Sequence, residues 1–210
     1  MLKLYGFARV NKGARGFTRD LRVLWALEEM ELPYEIVGMD HPKKDLDTPA
    51  YRAVNPFGQL PAIDDDGVVV TESGAILLYL ARKSGKLMPR DLAGEAQVLR
   101  WSIAALNTIE MPMLALWFVN LTGGKGTKPS DALQGWSDMR LGQLDELLAK
   151  RRFIATDQFT VADILLTHVL DANTKLLGPY ENVRAYHTRN LERPAWKKVH
   201  AAYCERVEAA

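Results

Sequence analysis

The chain opens with Leu2 and Leu4 alternating against Lys3 and Tyr5, the period-two pattern of a short strand. The following "GFARVNKGARGF" carries glycine and charge without apolar periodicity and predicts a loop. From Asp20 to Glu31 the period becomes helical, with Val23, Ala26, Leu27 and Met30 on one face. "LPYEIVGM" then turns back to a strand. After a polar segment, "LPAIDDDGVVVTES" predicts two strands joined at Asp66-Gly67, a dipeptide suited to the positive φ values of a hairpin turn. "SGAILLYLARKSG" predicts a helix stopped by Gly85.

Beyond "KLMPRDLAG", which carries Pro and Gly, strand signals nearly vanish. Ala93 to Leu121 is a long apolar helical pattern, "TGGKGTKPSD" interrupts it, and Leu141, Leu144 and Leu148 mark another helix. Thr160 stands three residues before Asp163, the spacing at which each side chain accepts the other's unpaired backbone N–H at a helix start. Pro194 suits the first turn of a final helix. The expected organisation is a mixed α/β domain over residues 1–82 and an all-α domain over 91–210.

Composition narrows the chemistry more than the fold. With 210 residues, 48% hydrophobic and 25% charged, the chain can bury a substantial core. Its 27 Lys and Arg nearly balance 26 Asp and Glu, so no excess field favours nucleic acid or an anionic membrane. The single cysteine, Cys204, excludes an internal disulfide, a CxxC redox pair and a thiolate-based zinc site. Apolar runs such as "MPMLALWFV" are too short to span a bilayer and "MLKLYG" lacks the apolar segment of a signal peptide, which together predict a cytoplasmic protein. "TGGKGTK" lacks the spacing of a phosphate loop, and His41, His168, His187 and His200 are too scattered to predict a metal site. Met111, Met113, Trp117 and Phe118 on the long helix are expected to be core.

The segments "RVLWALEEMELPYE", "NPFGQLPAI", "ESGAILLYL" and "FTVADI", in that order and spacing, resemble the cytosolic glutathione transferase family over essentially the whole chain, in a serine-type, theta-like or bacterial form. The resemblance implies a thioredoxin-like first domain with a mixed four-stranded sheet, followed by a helical domain. It implies that Pro61 is cis and that the backbone of Leu60 pairs with the cysteinyl part of glutathione, like a short added strand. Gln59 would reach the glycyl end, while Glu72 and Ser73 would hold the γ-glutamyl end at a helix N-terminus. A plain turn and a plain helix cap are the alternative roles of Pro61 and Ser73.

Activating the sulfur is a question of pKa. A free thiol near 8.5 is only about 3% thiolate at pH 7, and lowering that value by about two units takes roughly 2.7 kcal/mol of selective stabilisation. In serine-type members a hydroxyl lies four residues before an arginine of the first helix; counting back from Arg22 places Thr18 there. Thr18 is the expected catalytic residue, with a simple helix cap as its alternative. Asn11, Arg9, Lys12, Arg15 and Arg19 of the unusually long first loop, and Tyr5 of the first strand, are the other candidates for the sulfur. The implied activity is conjugation of glutathione, as co-substrate and without a metal, to a small electrophile in detoxification by a homodimer. Its alternatives are a non-catalytic binding or interaction protein of the same fold, and glutathione-dependent reduction of peroxides or disulfides.

Overall fold

A computed structural model describes residues 1–210. Its first strand, β1 (Leu2–Val10), continues through residues whose pattern predicts a loop. The reason lies at the other end of the chain. Beyond the reach of β3 (Ala62–Asp65), the outer edge of β1 is filled by β5 (Glu208–Ala209), which pairs in parallel with Arg9 and Val10. Ala210 N–H donates to Val10 C=O at 2.9 Å, and Lys12 N–H to Ala210 C=O at 3.2 Å. No local pattern carries that pairing.

β2 (Glu35–Asp40) runs parallel to β1, and β3 runs antiparallel to it from Leu2↔Asp65 to Tyr5↔Ala62. β3 and β4 (Val68–Thr71) form the predicted hairpin. Asp66 and Gly67 both take positive φ, 50° and 94°, as a two-residue turn matched to strand twist requires. The strand order is β2-β1-β3-β4, with β5 on β1. α2 (Pro49–Val54), capped by Thr48 onto Tyr51 N–H, occupies the polar segment after β2, where one and a half turns are too short to show a period. α3 (Ser73–Ser84) ends where predicted, at Gly85 with φ 68°.

α1 (Asp20–Met30) buries more than one face: Leu21, Val23, Leu24, Trp25, Ala26 and Leu27 are all inaccessible or nearly so. Its second cover is α9 (Pro194–Arg206). Trp196 packs on Trp25 at 4.9 Å between ring centroids, and Arg193 grips Glu29 with two hydrogen bonds of 2.5 and 2.7 Å. The chain accordingly divides into Met1–Leu87 plus Glu192–Ala210, and Met88–Leu191. This differs from the expected limits of 1–82 and 91–210, because the terminal helix and strand return to the first unit.

The second unit is helical. α4 (Leu92–Ile103), a π-helical segment Ala104–Ile109 and α5 (Glu110–Leu121) follow without a break, then α6 (Lys128–Leu148), α7 (Val161–Asp171) and α8 (Glu181–Leu191). The run Leu92–Leu121 is long and apolar enough to cross a membrane by length and composition, although its unbroken apolar stretches are short. It behaves here as a packing helix, burying Val98, Ala105, Ile109, Met113 and Leu116 and lying against α6 and α7. Met113 is core as expected; Met111, Trp117 and Phe118 are exposed instead. α5 is apolar on every side, so its period could not say which face would be covered.

α7 is buried almost throughout. Its predicted capping box is present, and Asp163 does more than cap: it accepts Thr160 N–H at 2.9 Å and Thr160 Oγ1–H at 3.1 Å. It also takes Ile154 N–H and Tyr186 Oη–H, each at 2.8 Å. Burial pushes its carboxyl pKa up, and these donors only partly pull it back.

Candidate functional site

The turn before β3 is built from its own side chains. Gln59 C=O accepts two hydrogen bonds, from Tyr51 Oη–H at 2.7 Å and Asn55 Nδ2–H at 2.8 Å. Asn55, buried to 3% exposure, also receives Phe57 N–H on Oδ1 at 3.1 Å. Gly58 has φ 59°, which favours glycine, and a Cβ there would fall 2.5 Å from the Arg52 guanidinium carbon and push that side chain aside. In a trans peptide the C=O and N–H point opposite ways. Anchoring Gln59 C=O inward therefore turns Leu60 N–H away from α2. The β1–β3 ladder starts at Ala62, and neither Leu60 N–H nor Leu60 C=O has a partner within the chain. The Leu60–Pro61 peptide is cis. The Leu60 side chain lies in a cluster with Met39, Leu46 and Tyr51, against which Tyr5, Phe7, Val37 and Val54 pack.

The hairpin register brings the second half of the site alongside. Ala62 opposes Thr71, so the Leu60–Pro61 turn and the Glu72-Ser73 pair sit at the same end of adjacent strands. Glu72 takes φ 67° at the N-cap position of α3, and no side chain caps the helix. The N–H groups of Ser73, Gly74 and Ala75 precede the first intrahelical bond, from Ile76 to Glu72. Such an end attracts an anion. Ser73 is therefore not the plain cap that its type allows. Its hydroxyl oxygen accepts from Arg22 Nη1–H at 3.2 Å, which leaves the hydroxyl proton free to be donated. Arg22 is 2% exposed, and nothing local in the sequence marks its contact with Ser73. Glu72 and Gln59 are both exposed.

Thr18 sits just before α1, its side chain 8% exposed. Its Oγ1 is 2.5 Å from Tyr203 Oη of α9. Two residues on, Asp20 Oδ2 accepts Phe7 N–H at 2.9 Å, which fixes the start of α1 to β1. Phe7 lies two residues past Tyr5, the partner of Ala62, a distance of about 7 Å along a strand. Burial pushes the Asp20 pKa up, against the pull of Thr18, Phe7 N–H and Arg206. The alternatives for the sulfur are differently placed. Tyr5 is half-buried, 5.7 Å from the Tyr51 ring within the Leu60 cluster. Asn11, Lys12, Arg15 and Arg19 are exposed on the loop, while Arg9 flanks β2 and β5. The structure thus groups Gln59, Leu60, Pro61, Glu72 and Ser73 at one sheet end.

In this thioredoxin-like unit the turn before β3 offers free backbone groups beside an uncapped helix N-terminus. Comparison with known proteins gives the family. Residues 13–82 match the model of the glutathione S-transferase N-terminal domain, and residues 124–194 that of the glutathione S-transferase C-terminal domain. The chain is 30% identical to glutathione S-transferase hmp2 of Hypomyces subiculosus, over 96% of this chain and 98% of that one. It is 32% identical to the disulfide-bond oxidoreductase YghU of Escherichia coli, over 69% of this chain and 56% of that one. A glutathione transferase from Burkholderia graminis, solved with two glutathione molecules per subunit, superposes with a TM-score of 0.81 at 28% identity, covering 96% of this chain and 88% of that one. The chain belongs to the glutathione S-transferase family.

Proposed function

We propose that this protein binds glutathione at Leu60, Gln59, Pro61, Glu72 and Ser73, ionises its thiol beside Thr18 and conjugates it to a small electrophile. The observation that carries this is the unpaired backbone of Leu60 standing next to the uncapped start of α3. An extended dipeptide can complete the ladder at Leu60 while its γ-glutamyl carboxylate meets Ser73 and the helix N–H groups and its ammonium meets Glu72. The protein supplies no nucleophile of its own. The bound thiolate attacks the electrophilic carbon, a C–S bond forms, and with an aryl halide the halide leaves with the bonding electron pair.

Ser73→Ala together with Glu72→Ala is expected to abolish retention on immobilised glutathione, since each change removes a charge-assisted contact of about 1.5 to 3 kcal/mol. Unchanged retention would place the γ-glutamyl group elsewhere. The family also suggests a homodimer, with twofold-related copies. Light scattering at micromolar concentration is expected to give about twice the chain mass of 23.6 kDa; a mass equal to one chain would overturn it.

Similarity to the Escherichia coli oxidoreductase favours a second use of the same thiolate, reduction of a small disulfide with glutathione as reductant. Turnover of a simple alkyl disulfide in excess of aryl halide conjugation would make that the principal activity.

A further inference from the structure

The C-terminal helix brings a tyrosine to the residue proposed to face the sulfur, across 185 positions of sequence. Tyr203 is 1% exposed, and its hydroxyl touches a side chain that the mechanism above requires to be a hydrogen-bond donor. A threonine hydroxyl has one proton and can accept as well as donate. Which way its proton points depends on what fills its lone pairs.

We propose that Tyr203 is a positioning residue for Thr18: its phenol donates to Thr18 Oγ1, so that the threonine proton is directed to the sulfur of bound glutathione. The inference rests on the proposed role of Thr18. The opposite direction, Thr18 donating to Tyr203, would spend the only proton that the sulfur could use. The surroundings favour the phenol as donor. Thr18 Oγ1 is the sole hydrogen-bond partner of this buried phenol, so a Tyr203 that accepted from Thr18 would leave its own proton buried and unpaired. This gives a chain from Tyr203 Oη–H to Thr18 Oγ1–H to the glutathione sulfur. Successive bonds of this kind polarise one another and strengthen the last donor.

One rival exists for the Thr18 proton. Asp20 Oδ1 is buried and makes no hydrogen bond of good geometry, and the Thr18 hydroxyl lies close enough to lower the Asp20 pKa. With Tyr203 donating to Thr18, the threonine proton is shared between Asp20 and the sulfur, and Arg206, whose charge also acts on Asp20, reduces the carboxylate's pull. The same segment fixes the approach: Arg206 Nη1–H donates to Phe7 C=O at 2.6 Å, and a Cβ on Gly16 would stand 3.4 Å from His200 and 4.0 Å from Cys204.

The test is Tyr203→Phe, which keeps the ring and removes only the hydroxyl. Titrating bound glutathione by thiolate absorbance is expected to show a pKa raised by about half a unit, and aryl halide conjugation below that pKa slowed about threefold with KM for glutathione unchanged. In a Thr18→Ala background the same change is expected to add nothing. Site-specific 3-fluorotyrosine at position 203, a stronger donor in the same shape, is expected to move the pKa the other way; a purely structural hydroxyl would move it in neither variant. If Thr18→Ala shifts the titration while Tyr203→Phe and the fluorinated variant do not, the positioning role is wrong and the sulfur assignment stands. If none of the three shifts it, both fall. Should Tyr203→Phe not fold, the fluorinated variant decides alone.

Discussion

Asp163→Ala is expected to lower the free energy of unfolding by about 4 kcal/mol. The residue looks like an ordinary cap in the sequence, yet its carboxylate receives Ile154 N–H, Thr160 N–H, Thr160 Oγ1–H and Tyr186 Oη–H. Alanine leaves these donors buried and unpaired, and each unpaired donor costs about 1 to 3 kcal/mol. For a chain of this size the midpoint of thermal unfolding should fall by about 10 °C. Asp163→Asn keeps one acceptor oxygen and the volume, and is expected to lose about half as much. Calorimetry of the two variants checks the argument: equal losses would mean that the negative charge rather than the number of acceptors holds α7 in place. A loss under about 1 kcal/mol in Asp163→Ala would overturn it.

Thr18→Ala is expected to raise the pKa of bound glutathione's thiol by roughly one to two units, the equivalent of one charge-assisted hydrogen bond of about 1.5 to 3 kcal/mol. Conjugation of a reactive aryl halide at pH 7 should slow by about tenfold or more, with affinity for glutathione nearly unchanged. Thr18→Ser should be tolerated and Thr18→Val should not. Because Tyr203 loses its partner in Thr18→Ala, some stability is lost as well, about 1 kcal/mol, so the titration must be made on protein shown to be folded. A thiol that titrates as in the parent protein would remove Thr18 from the mechanism and bring Tyr5 and Asn11 forward.

What was legible in the sequence follows from how local each cause is. The Asp66-Gly67 turn, the Gly85 stop and the Thr160–Asp163 box each depend on residues within four positions of one another, and all three are present. The resemblance pointed to Leu60, Pro61 and Ser73, because the Leu60–Pro61 turn and the Glu72-Ser73 helix start are each written in adjacent letters. The Arg22 to Ser73 contact and the anchoring of Gln59 C=O by Tyr51 and Asn55 carried no signal, since buried polar residues look like surface ones until the fold places them. The length of β1, the return of α9 to α1 and the partner of Thr18 were out of reach for a single reason: each depends on the last residues of the chain meeting the first.

That return makes the sheet-bearing unit discontinuous in sequence, with a consequence for biosynthesis. Residues 1–87 leave the ribosome before their second cover exists, so Trp25 and the α9-facing side of α1 wait, uncovered, while the whole helical unit is made. Only when α9, with Trp196, Val199 and Tyr203, emerges can that surface close. An incomplete first unit with an open apolar helix face is the kind of nascent species that chaperones retain.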